Sequence, residues 1–207
     1  MIPKIFMQTS RQPPKPYIVD MIRERCPGWD YQHYTDDDII AFFGEHPVNE
    51  FPNVIAKFYM LNYGEHRADL FRYYFLYVKG GVYMDTDAML YEPIENIIGT
   101  ADFFTVNSSY FPGTVFQGFL GAAPQHPLIY QALKDIYNTP IENLRKEFHL
   151  LCKNLYGFIQ INKTERTLLL EEVFGNEEEA HIIDRSGQVV LIHYHIKKII
   201  PTNKNRL

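Results

Sequence analysis

In the segment KGGVYMDTDAML, residues 79–90, two aspartates with one residue between them, Asp85 and Asp87, follow a short apolar run. Residues at i and i+2 of a strand project to the same side. The two carboxylates would then converge on one point at a strand's carboxyl end, where open α/β sheets bind their ligands. Two hard oxygen donors suit Mn2+ or Mg2+, ions whose coordination is commonly completed by substrate phosphates. Held against a diphosphate, such an ion would neutralise the charge that develops as a leaving group departs. The spacing alone is common by chance, and a second pair, Asp36 and Asp38, lies in TDDD. That pair reads as a helix N-terminus, because Thr35 precedes it and a helical run follows it.

Asp69 and Arg72 lie three apart in the run GEHRADLFRYYFLYVKGG, so they share a helix face. Two readings are open for them. One is a surface ion pair worth at most ~1 kcal/mol; the other is an arginine beside a phosphate with an aspartate on a sugar hydroxyl. Tyr83 faces away from Met84 on its strand and reads as core or as a phosphate contact, core being favoured.

The elements that must position these residues follow from pattern. Phe71, Tyr74, Phe75 and Val78 fall at i, i+3, i+4 and i+7, a buried helical stripe that Gly80 and Gly81 end before VYM enters a strand. IPKIFMQT reads as the first strand, and prolines ahead of a Pro-Gly pair frame a helix over 17–25. WDYQHYT alternates like a strand, and 49–62 reads as helix. DFFTV, VFQGFLGAA and VVLIHYH read as strands, 126–137 and 141–153 as helices. Interleaved helices and strands predict an α/β fold whose central, mainly parallel sheet is flanked by helices, with residues 1–207 forming one domain.

Composition narrows the function. A net charge of −5 argues against nucleic-acid binding, which needs a basic footprint. Cys26 and Cys152 are far apart and form neither a metal spacing nor a disulfide framework, which favours a reducing compartment. No run is long and apolar enough to span a bilayer, and MIPKIFMQTS lacks a signal-peptide core, so a cytoplasmic bacterial or viral protein, or a domain excised from a longer chain, is expected. There is no phosphate-binding GxxxxGK[ST], since Phe119 stands where lysine is required after Gly118, and no HExxH, CxxC or GxSxG.

The block RADLFRYYFLYVKGGVYMDTDAML resembles the family 32 glycosyltransferases, DXD sugar transferases that include initiating mannosyltransferases, and also the core of the clostridial glucosylating toxins. IPKIFMQT, CPGWDYQHYTDDDIIAFF, QGFLGAAPQHPLI and VVLIHYH extend the similarity over nearly the whole chain. The resemblance implies a GT-A-like, Rossmann-like fold and a retaining, Mn2+- or Mg2+-dependent transfer of a hexose from a nucleoside-diphosphate sugar to a hydroxyl acceptor such as a glycan. It favours a UDP-sugar, with GDP-mannose as the other donor. It further implies that Asp87 binds the metal, that Asp85 contacts the metal and the ribose or sugar hydroxyls, and that Asp69 and Arg72 hold the sugar and its phosphates. Gln8 and Thr9 would lie near the base, and Gln117 beside the donor sugar, where the family usually has Asn.

The family follows its terminal histidine with Ser-Trp; HYHIKKIIPT has neither. His193 or His195 would be a third metal ligand, since neutral imidazole binds such ions, and strand parity puts both on one side. The chain is short for its group, so further domains or partner chains are expected to help select the acceptor. Two rivals compete with this reading. VYMDTDAML also resembles the nucleophile strand of haloacid-dehalogenase-like phosphohydrolases, but Asp102, Asp135 and Asp184 are isolated and form no second acidic motif. A degenerate sugar-nucleotide-binding module is the other, favoured only by Gln117 and the altered C-terminus.

Overall fold

The computed structural model describes residues 1–194. Its elements run β1 (Ile5–Thr9), α1 (Pro16–Arg25), β2 (Asp30–Tyr34), α2 (Asp36–Glu45), α3 (Val54–Met60), α4 (Gly64–Val78), β3 (Gly81–Met84), β4 (Ala88–Leu90) and α5 (Ile94–Ile98). They continue with β5 (Phe103–Asn107), β6 (Val115–Ala122), α6 (Pro127–Asn138), α7 (Ile141–Lys146), α8 (Leu150–Asn162), β7 (Thr167–Asn176), β8 (Glu179–Ile183) and β9 (Val189–Tyr194). All nine strands join one sheet in the order β2-β1-β3-β6-β5-β7-β8-β9-β4.

The α/β expectation holds, but the sheet is mixed rather than mainly parallel. β1–β2, β1–β3 and β5–β7 are parallel, whereas β3–β6, β5–β6, β7–β8, β8–β9 and β4–β9 are antiparallel. The cause is local. β5 returns directly into β6 and β7 into β8 as hairpins, with no helix to carry a parallel crossover. Strand alternation sends neighbouring residues to opposite faces. Met7, Tyr83, Phe103 and Leu120 meet α2, α3, α4, α6 and α8, while Phe6, Val82, Phe104 and Phe119 meet α1, α5, β4 and β9.

Several boundaries differ from the sequence reading. The expected helix over 49–62 is confined to α3, and the one over 141–153 divides into α7 and α8. α4 is buried nearly all round between Asp69 and Leu76, not only along the Phe71–Val78 stripe. The two glycines after it act as expected and for a definable reason. Gly80 and Gly81 have φ of +68° and +109°, and a Cβ on Gly81 would stand 2.6 Å from the Ile5 carbonyl oxygen. Only glycine lets β3 enter this closely beside β1.

β3 and β4 are separated by Asp85, Thr86 and Asp87 alone, yet β4 closes the far end of the strand order by pairing with β9. The sheet therefore curls so that its β4 end returns to β3, third from the other end, at the two aspartates. No helix of the described residues is long and apolar enough to cross a membrane.

Candidate functional site

Asp85 leaves the end of β3, and Asp87 sits in the turn that leads into β4. Their convergence thus comes from a tight turn and not from strand alternation. Gly118 on β6 accepts the Asp85 N–H through its carbonyl at 2.8 Å, and Gln8 Nε2 donates to the Asp85 carbonyl at 3.2 Å. On the other side, the Asp87 carbonyl accepts from the Tyr194 N–H at 2.8 Å. β9 pairs antiparallel to β4 with Ala88 opposite His193, and this register sets the imidazole beside Asp87. His193 Nε2 lies 3.6 Å from Asp87 Oδ1, and the ring rests on Phe116 with centroids 4.6 Å apart.

Asp85, Asp87 and His193 each offer a ligand atom, and these atoms lie within 4.8 Å of one another. A Mg2+ or Mn2+ ion at ~2.1 Å from each donor needs a span of ~4 Å, so the group is close to that geometry. Two carboxylates and one imidazole form a fitting donor set. A glycine completes the cradle: a Cβ at position 118 would collide with both Asp85 Oδ2 and the Phe116 ring. His195, the other histidine expected from the sequence, lies outside the described residues.

α4 delivers Asp69 and Arg72 from below. They are 8% and 5% exposed, which removes the surface ion-pair reading. Arg72 Nη2 lies 3.5 Å from Asp69 Oδ1 and 3.7 Å from Asp85 Oδ1, and Nη1 donates to the Gln117 carbonyl at 2.5 Å. Its guanidinium stacks 4.1 Å over the Tyr83 ring. Burial opposes the charge on Arg72, but Tyr83, Asp69 and Asp85 around it hold its pKa above the usual value. Burial pushes the Asp69 carboxyl up, against the pull of Arg72. Tyr83 is buried, as expected, and also touches the acid pair: its hydroxyl donates to Asp85 Oδ1 at 2.5 Å, and burial raises its pKa so that it keeps its proton.

Gln117 and Gln8 are less directly placed. The Gln117 side chain points inward, accepting from the Tyr73 hydroxyl and donating to Cys152 Sγ at 3.1 Å. Burial raises the Cys152 thiol to about 12, so it stays neutral. Gln8 is fully buried behind the turn, its Oε1 accepting from the Tyr31 hydroxyl at 3.0 Å. Thr9 does reach the surface, on the wall of a cleft of about 710 Å³. Tyr83, Arg72, Asp85 and Asp87 line the same cleft, together with Arg11, Lys15 and Arg67, three cations not singled out in the sequence. Asp36 also lines it, 3.7 Å from Arg67 Nη1. The expected cap is present nonetheless: Thr35 and Asp38 bond each other's backbone N–H groups as a capping box. TDDD thus both caps α2 and places one carboxylate in the cleft.

A carboxylate–imidazole cluster beside a buried arginine could hold a divalent cation and a phosphate, and the comparisons with known proteins bear on that chemistry. Residues 15–104 match the glycosyltransferase sugar-binding region containing a DXD motif, with Asp85-Thr86-Asp87 as that motif. The chain is 30% identical over 140 residues to mannosyl phosphorylinositol ceramide synthase SUR1 of Saccharomyces cerevisiae, covering 66% of this chain and 35% of that protein. It is 29% identical over 109 residues to inositol phosphoceramide mannosyltransferase 1 of Schizosaccharomyces pombe, covering 53% and 32%. With the initiation-specific alpha-1,6-mannosyltransferase of S. cerevisiae the identity is 37% over 70 residues, 34% of this chain and 14% of the relative. Among solved structures, PaToxG glycosyltransferase shares the fold at a TM-score of 0.53 and 13% identity, covering 77% of this chain and 70% of that one. The resemblance read from the sequence is thus matched by the comparisons: residues 15–104 are similar to the sugar-binding region of the DXD glycosyltransferases. It spans about a third of the length of the first two relatives. These curated relatives are yeast proteins, so the expected bacterial or viral setting finds no support among them.

Proposed function

We propose that the protein is a metal-dependent hexosyltransferase that moves a sugar from a nucleoside-diphosphate sugar to a hydroxyl acceptor. The observation that carries this is the meeting of Asp85, Asp87 and His193 with the buried Arg72 at one wall of the cleft. His193 comes to this group from the far end of the chain, through the pairing of β9 with β4.

In this reading Asp87, His193 and Asp85 hold Mn2+ or Mg2+, which when bound would neutralise charge on the diphosphate. Arg72 presents a fixed positive charge to the phosphates; its two carboxylate neighbours, Tyr83 and the Gln117 carbonyl leave it one orientation. Asp69, 3.5 Å from Arg72 and buried beside the cleft-lining residues, would accept from a sugar hydroxyl, and Thr9 with the 10–15 loop, which lines the cleft, would meet the base. Gln8 supports this wall from behind by fixing the Asp85 carbonyl. Gln117 acts through its carbonyl on Arg72 and not as a nucleophile, since its side chain is engaged by Tyr73 and Cys152. With no free side-chain nucleophile assigned among the described residues, the retaining course implied by the family resemblance would be a front-side attack. The acceptor oxygen bonds to the anomeric carbon as the bond to the diphosphate oxygen breaks, and that oxygen takes the acceptor proton.

The names of the curated relatives weigh toward mannose, and so toward GDP-mannose over the UDP-sugar that the sequence favoured. A glycan or glycolipid hydroxyl is the acceptor class. The test is release of nucleoside diphosphate from a panel of GDP- and UDP-sugars, with Mn2+, with Mg2+ and with chelator. Metal-dependent release from one donor supports the reading; release of inorganic phosphate from phosphomonoesters instead would favour the phosphohydrolase.

A further inference from the structure

Beside the cleft runs a series of aromatic rings that the core does not use. Tyr63, Tyr110, Phe111, Phe148 and Phe174 are 41%, 37%, 51%, 42% and 67% exposed. They are not scattered. Tyr63 lies 5.6 Å from Phe148, Phe148 lies 5.1 Å from His149, and His149 lies 4.1 Å from Phe111 at an interplanar angle of 32°. Tyr110, next in sequence to Phe111, meets Phe174 at 6.3 Å.

Both ends of the strip attach to elements that build the site. Tyr63 immediately precedes Gly64 and Glu65, which line the cleft, and a 3.0 Å hydrogen bond between His66 Nε2 and the Phe148 carbonyl fixes the two segments together. Phe111 lies in the 108–114 turn between β5 and β6. From that turn β6 runs inward to Phe116, which bears on His193, and to Gly118, which abuts Asp85. The rings thus form a strip that begins one residue before the cleft-lining Gly64 and crosses the β5–β6 hairpin, which packs against the acid pair, to Phe174 on β7.

We propose that this strip is the acceptor subsite and that it takes a carbohydrate chain, its pyranose rings stacking on the exposed aromatic faces; this rests on the transferase reading above. A pyranose offers an apolar C–H face to the electron-rich face of a ring while its hydroxyls stay available for hydrogen bonds. The surroundings suit that ligand. Glu171, exposed and bonded to Asn107 beside the hairpin, is a carboxylate that can accept from sugar hydroxyls. That exposed carboxylate, with a net chain charge of −5, disfavours an anionic bilayer surface.

The test uses the whole chain with Mn2+ and compares wild type with Phe111→Ala and Phe148→Ala, both at half-exposed positions. Calorimetric titration with manno-, gluco- and galacto-oligosaccharides of two to six units should show binding of at least one series. In each variant that binding should weaken roughly tenfold, the loss of one stacked ring. Nucleotide-sugar binding should be unchanged, and it is measured separately, so that failure of the transferase reading shows as absent donor binding in the wild type. Absence of oligosaccharide binding in the wild type, or equal binding in the variants, overturns the proposal. So does co-sedimentation with phosphatidylcholine–phosphatidylserine vesicles that the two substitutions abolish, which would assign the strip to a membrane.

Discussion

Gly118→Ala probes the cradle around the acid pair with a single methyl group. Gly118 has an ordinary negative φ, so the substitution carries no backbone penalty; the cost is entirely one of space. The added Cβ would collide with Asp85 Oδ2 on one side and with the Phe116 ring on the other. Phe116 is half-buried and can give way, but its ring bears on His193 at 4.6 Å, so its movement displaces a second member of the cluster. Overpacking of this kind costs about 1–3 kcal/mol, a fall in Tm of roughly 3–10 °C for a chain of this size. Displacing the groups that orient metal ligands typically weakens metal binding by about 10- to 100-fold. Gly121→Ala supplies the control. Its Cβ would collide with the Phe104 ring in the core, away from Asp85, so it should lower Tm by a similar amount and leave cation affinity intact. Thermal denaturation and Mn2+ titration of both variants separate the two effects. Equal loss of Mn2+ affinity in both, or none in Gly118→Ala, would refute the cradle.

Further outcomes are expected. Tyr73→Phe removes the donor to buried Gln117 Oε1 and should cost about 1–3 kcal/mol in chemical denaturation; because Gln117 fixes Arg72, KM for the donor should rise more than kcat falls. His126 caps α6 by accepting the Leu128 N–H at Nδ1, 3.3 Å away, and burial lowers its pKa below the usual 6.5 despite Asp102. The folded chain therefore holds this proton more weakly than the unfolded chain. That contribution to stability is complete above pH 6.5 and is lost as pH falls through the lowered value. His126→Asn, which keeps a capping acceptor, should flatten that acid limb in pH-dependent denaturation; an unchanged limb assigns it to other groups.

Much of the site was legible because its signals are local. The helical stripe of α4, the Gly80-Gly81 stop and the Asp-x-Asp turn lie within one block, where spacing and turn chemistry suffice. His193 was legible only as one of two, because strand parity cannot supply register; the pairing of Ala88 with His193 does. The inward turn of Gln117 depends on Tyr73 and Cys152, from helices that sequence spacing does not bring together. Arg11, Lys15 and Arg67 were missed for the same reason, since the 10–15 loop and the start of α4 line one cleft only in the fold. The β7–β8 hairpin was also missed: TLLLEEVFGNEEEAHII sets glutamates where alternation would show, and one of them, Glu172, is buried on Ser108. The break between α7 and α8 has no proline or glycine to announce it and follows from the packing of Phe148 against His66.

The most direct test of the central claim is calorimetric titration of wild type and Asp87→Ala with GDP-mannose and a set of UDP-sugars, each with and without Mn2+. The account predicts that one donor binds the wild type only with the ion and that Asp87→Ala abolishes this binding while the chain stays folded. Donor binding that is indifferent to Mn2+ and survives in Asp87→Ala, or no binding of any donor to the wild type, would contradict it.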